Sequence, residues 1–237
     1  TIPEGLEVSL ETSEPQITQP LAFCYDDRGR LWIAENRDYE TRRSGFSNDG
    51  KSRILILEDE DGDGKMDTKK VFLEGIPFPS AVAVGFDGLW LGAPPNLLFV
   101  PDRDGDDRAD DAIEVRLTGW GIRDRHEVLN SFIWGPDGWL YGCQGFATPS
   151  TVGKPVDGGR LFKKGEPFPT KQPVVDGTFI DGGVFRYHPT KERFEVVSHG
   201  FSNPWGLDFD DHGQGFISAC VIPHAFHIVQ GGFFHRQ

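Results

Sequence analysis

The sequence predicts an all-β protein, a β-propeller. Three observations predict it: a strand–turn–strand unit recurs four times, a second hairpin follows three of these units, and no segment keeps a long helical period. The recurring unit reads "LAFCYDDRGRLWIAE" from Leu21, "AVAVGFDGLWLGA" from Ala81, "SFIWGPDGWLYGC" from Ser131 and "GLDFDDHGQGFISAC" from Gly206. Each is a short apolar run, a tight turn closed by Gly29, Gly88, Gly138 or Gly213, and a second apolar run. Turns of this kind between apolar runs signal hairpins, because glycine accepts positive φ without steric cost.

The second hairpins follow in order. "RILILED" pairs with "KKVFLEG" across one acidic loop, "NLLFVPD" with "IEVRLTG" across another, and "GGVFRYH" with "RFEVVSHG" across "PTKE". Two hairpins make a four-stranded blade, and blades in series make a propeller. The expected blades cover residues 17–76, 77–120, 126–200 and 201–237, the last incomplete. A propeller closes its ring to remove sheet edges, so the chain is expected to be an incomplete ring of about four blades from a protein with six. Residues 145–182 read as a long Gly/Pro-rich loop on the top face.

Composition narrows the function. The net charge of −13 and the lack of any Lys/Arg stripe argue against nucleic-acid binding. No apolar run approaches the length of a membrane helix. Cys24, Cys143 and Cys220 form no CxxC or CxxCH pattern, so neither a zinc ribbon nor a covalently bound c-type haem lies in this chain. The chain opens at Thr1 without a methionine or a legible leader, which fits a processed or excised segment.

Propeller geometry sorts the remaining residues onto two faces. Both acidic loops are outer hairpin turns and fall on the bottom face. Asp59, Asp61, Asp63 and Asp67 alternate around Gly64, the pattern of a calcium loop, with the Lys65 carbonyl as a further oxygen. Asp102, Asp104, Asp106 and Asp110 repeat it, with Asp107 in place of the glycine. The alternative is a pair of solvated acidic turns. The top face collects the residues before each inner strand and after the second. His126 stands there among Arg123, Asp124, Arg125 and Glu127, the setting of a general base near neutral pH. Asn203 and Trp205 in "SNPWG" sit at the same mouth, with Trp205 and Trp120 as stacking platforms. His224 and His227, three apart, have the spacing of a one-turn metal pair, with packing or substrate hydrogen bonding as the alternative.

"NSFIWGPDGWLYGCQG", "SNPWGLDFDDHGQGFISACVIPHAFHIVQGG" and "DEDGDGKMD" together resemble the membrane-bound dehydrogenase domain family of planctomycete-type bacteria. That family is a divergent relative of the soluble glucose/sorbosone dehydrogenases that use pyrroloquinoline quinone (PQQ). The resemblance runs from "PEGLEVSL" to the C-terminus. It implies a quinoprotein-like dehydrogenase for a sugar or polyol, located in the periplasm or outside the cytoplasm, with a c-type cytochrome domain as electron acceptor. His126 matches the family's histidine before the "FGPDG"-type hairpin and is the implied base, with Asp124 or Glu127 orienting it. "GFSNPWG" matches a quinone-binding G-x-R-N-P-x-G motif at Asn203 but places Ser202 where the arginine is expected. "AEN" matches "TER" at Glu35 and departs at Asn36. Arg37, Arg123 and Arg125 are the substitutes for the missing charge, beside Trp205. The rival reading is a non-catalytic propeller that binds carbohydrate or a partner domain.

Overall fold

The computed structural model describes residues 2–41, 45–47, 49–162, 165–167 and 172–236. The first blade begins with the inner hairpin β1 (Pro20–Tyr25) and β2 (Leu31–Glu35). A small ribbon, β3 (Tyr39–Thr41) and β4 (Gly45–Phe46), interrupts it before β5 (Arg53–Glu58) and β6 (Thr68–Glu74) complete the sheet in the order β1-β2-β5-β6. The second blade runs β7 (Ala81–Val84), β8 (Gly88–Ala93), β9 (Asn96–Pro101) and β10 (Glu114–Thr118). The third starts with β11 (Asn130–Trp134) and β12 (Leu140–Gln144).

The next segment departs from expectation. Residues 145–182 are not simply a loop: they hold β13 (Ser150–Pro155) and β14 (Val174–Ile180), which pair with each other and extend the second blade to six strands beyond β10. The approach is close, and Gly119 permits it at φ 106°, since a Cβ there would run into the Thr151 carbonyl. The third blade then resumes with β15 (Gly183–His188) and β16 (Arg193–Gly200). The fourth has an inner hairpin, β17 (Pro204–Phe209) and β18 (Gly215–Ala219), and a third strand, β19 (Ala225–His227), that the sequence pattern does not predict. Finally β20 (Phe233–Phe234) turns back and pairs in parallel with β16.

The core lies between blades, which explains why the strands read as near-continuous apolar runs. On β2, Trp32 and Ala34 face the second blade's Val82, Leu89 and Leu91, while Leu31 and Ile33 face the other way onto Leu55, Leu57 and Met66. Trp90, Phe99, Trp120, Phe132, Phe185 and Tyr187 fill the gap between blades two and three. Cys143, Val184, Phe201, Leu207 and Ile217 join blades three and four. Among the described residues, no helix is long and apolar enough to cross a membrane.

Candidate functional site

A cavity of about 540 Å³ opens where the inner strands of all four blades begin. Gln19 and Pro20 come from blade one, Phe78 and Ser80 from blade two, Val128 and Asn130 from blade three, and Asn203 and Pro204 from blade four. This volume suits a small molecule. The Ser80 hydroxyl donates to the Leu129 carbonyl at 2.6 Å and ties the second blade to the entry of the third.

His126, Glu127, Arg125, Asn203 and Trp205 all line this cavity. The imidazole is half exposed; its Nδ1 faces Asp124 Oδ1 at 3.7 Å, and its Nε2 lies 3.0 Å from the Tyr39 hydroxyl. Asp124 also fixes the loop, accepting the backbone N–H groups of His126 at 2.9 Å and Glu127 at 3.3 Å. Tyr39 falls in the top-face stretch 35–39 that the sequence marks, but its contact with His126 was not foreseen. It follows Asp38, a buried carboxylate that accepts the N–H groups of Lys51 and Ser52 and so pins the loop between β2 and β5. The available signal was its position just past the second strand of a blade.

Glu127 does not orient the imidazole as expected. Its carboxylate accepts the Phe146 N–H at 3.1 Å and a hydrogen bond from the Asn203 side chain. Burial, then the charge of Asp124, pushes this carboxyl above the usual range, and the Phe146 and Asn203 hydrogen bonds oppose the shift. Gly145 makes room for Glu127, because a Cβ at that position would strike the Glu127 backbone and Cβ. Asn203 adopts φ 48°, a left-handed conformation that asparagine tolerates.

Trp205 is exposed at the rim, with its carbonyl held by the Ser218 hydroxyl. Trp120 is no stacking platform: it is 2% exposed and packs 5.5 Å from Phe185 between blades. Arg123 and Arg37 are exposed but do not line the cavity, so Arg125 is its one arginine among the described residues. Glu35 is buried in an ion pair with Arg53 and takes the Thr18 N–H at 2.6 Å, whereas Asn36 beside it lines the mouth.

The acidic loops lie at the β5–β6 and β9–β10 turns, away from this mouth. Carboxylate oxygens of Asp59, Asp61 and Asp67 lie within 4.8 Å of one another, as do those of Asp102, Asp104 and Asp106. The N–H of Gly64 leads the backbone hydrogen bonds that hold the Asp59 carboxyl below the usual range. Asp63 and Asp110 stand outside these groups. Asp63 pairs with the Lys65 ammonium at 3.2 Å, and Asp110 with Arg103 at 3.8 Å. Asp107 takes a different role, pairing with Arg30 at 2.6 Å and with Lys70, both from blade one. His224 and His227 belong to no group of three or more metal-type ligands among the described residues: His224 precedes β19 and His227 ends it, so they share no helical turn, and His227 packs 5.3 Å from Phe216.

The strand order and the axial cavity define a β-propeller with a ligand-sized mouth on one face. Its family follows from the sequence: the chain belongs to the family described as domain of unknown function (DUF7133), whose model matches residues 1–236. No curated protein matches this sequence. Among solved structures, the chain is similar to the PQQ-bound form of an aldose sugar dehydrogenase from Streptomyces coelicolor, at 16% identity and a TM-score of 0.49. That likeness covers 91% of this chain and 61% of the other, so the chain spans about six-tenths of that protein's length. A virginiamycin B lyase from Staphylococcus aureus is similar at 12% identity and a TM-score of 0.45, covering 93% and 69% of the two chains. A protein described as an oxidoreductase (glucose dehydrogenase) from Thermus thermophilus is similar at 13% identity and a TM-score of 0.40, covering 89% and 96%. Likenesses of this size carry no argument about chemistry, and the fold rests on the strand pairing described above.

Proposed function

We propose that the mouth binds a sugar or polyol, and that the chain is the propeller of a dehydrogenase related to the quinoproteins. The observation that carries this reading is the convergence of His126, Asn203 and Trp205 on one cavity. The Trp205 ring offers a stacking face for a sugar ring, and the Asn203 amide offers hydrogen bonds to hydroxyls. His126 Nε2 offers a hydrogen bond to one substrate hydroxyl, in competition with the Tyr39 hydroxyl. The Asp124 carboxylate faces the other ring nitrogen, Nδ1, at 3.7 Å.

PQQ carries three carboxylates and calls for several cations. Among the described residues the mouth offers Arg125 alone and holds the Glu127 carboxylate beside Asn203. These residues do not fit the quinone unaided, and no step is assigned through it. The same observation favours a second reading, a carbohydrate-binding propeller without turnover. The acidic loops are proposed as structural calcium sites, since each gathers three hard oxygen donors at one point.

The test is dye reduction by the purified protein with calcium and PQQ across a panel of sugars and polyols, alongside calorimetric titration of the same compounds. The dehydrogenase reading predicts turnover that falls ~100-fold or more in His126→Ala while affinity persists. Binding without turnover supports the second reading, and no binding at all overturns both.

A further inference from the structure

The bottom face carries a second cavity, of about 620 Å³, between the inner turns of blades one and two. Its wall is aromatic. Phe86 is half exposed and lies 5.3 Å from the ring of Trp134, which closes the cavity from the third blade. Tyr25, also half exposed, lines it from β1. Gly85 allows this arrangement, since a Cβ there would meet the Trp134 ring at 3.0 Å. Phe86 and Asp87 are both held in the left-handed region, at φ 61° and 55°, so the turn presents a ring and a carboxylate together.

The cavity already contains one cation. Arg30 is buried over the Trp32 ring at 5.9 Å and is bound by Asp26 at 2.8 Å and Asp107 at 2.6 Å. That pairing satisfies Asp26 and Asp107. Two further carboxylates on the lining, Asp27 and Asp87, have no cationic partner among the described residues. Unmatched negative charge beside accessible rings selects a cation with an apolar body, which rings attract and partly desolvate. A sugar brings no charge to match, and a calcium ion seeks an all-oxygen shell rather than rings.

We propose that this cavity binds a small organic cation bearing an ammonium or guanidinium head group. The site is separate from the mouth, and its test does not depend on the dehydrogenase reading. Choline and methylguanidinium are titrated calorimetrically into calcium-saturated and chelator-treated protein, with the uncharged carbon analogue of choline as the control. The expected result is saturable binding of both cations in both states and no measurable binding of the analogue. The double variant Asp27→Asn, Asp87→Asn should bind about fivefold more weakly with an unchanged circular dichroism spectrum; asparagine suits the left-handed position 87. Equal binding of the uncharged analogue, binding seen only without calcium, absence of saturable binding, or unchanged affinity in the double variant each overturns the proposal. The wild-type comparison decides the matter even if the variant fails to fold.

Discussion

Two carboxylates show how differently single residues carry charge in this fold. Asp107 stands where a calcium loop would have glycine, at φ 64°, and it serves as a clamp between blades. Burial opposes its charge, but the hydrogen bonds and charges of Lys70 and Arg30 prevail and hold its carboxyl below the usual range. A depressed value stabilises the fold above the unfolded pKa of about 4, and that contribution is lost as the pH falls through the folded value. Asp107→Asn should therefore lose about 2 kcal/mol at neutral pH, with a smaller loss in acid, as read from urea midpoints at several pH values. An equal loss at every pH would contradict the assignment. Glu127 has the opposite sign. Burial and Asp124 raise its carboxyl, so its stabilising protonated form is complete below about pH 4 and is lost as the pH rises through the raised value. Glu127→Gln should flatten that limb of the stability profile; a variant with the wild-type slope would show that Glu127 is not the group responsible.

At the scale of elements, the inner hairpins were legible because their signals are local. A turn glycine and two apolar runs suffice, and "NLLFV" is buried throughout because β9 is covered on both faces. β13 was not legible: "STVGKP" has no clean alternation, and its strand state depends on docking against β10, distant in sequence. Gly119→Ala should strain that contact and raise hydrogen exchange along β13 and β14 while leaving β7 and β8 protected; protection unchanged throughout would remove the packing role. Trp120 was misread for a related reason, since a connection residue's burial depends on how blades pack. Tyr39 meets His126 only because the blades curve around a common axis. The acidic loops were legible as patterns, but only three of each four carboxylates converge. Calcium titrated into chelator-treated protein should give saturable heat and a higher melting temperature, lost from the first loop in Asp59→Asn. The absence of both effects would leave the loops as solvated turns.

At the scale of the whole molecule, four blades place catalytic-type and binding-type residues at one end of an axis and the acidic turns away from it. This separation divides the molecule into a mouth and a support. It follows from strand direction: every inner strand begins at the mouth, so residues preceding inner strands meet there regardless of their distance along the chain. The central claim is that this mouth receives a sugar or polyol. The most direct measurement is a crystal structure of the protein soaked with the tightest-binding compound of the panel. The account predicts the ligand stacked on Trp205, with a hydroxyl within hydrogen-bond reach of His126 Nε2. A well-ordered ligand elsewhere on the molecule, with the mouth holding only solvent, would contradict it.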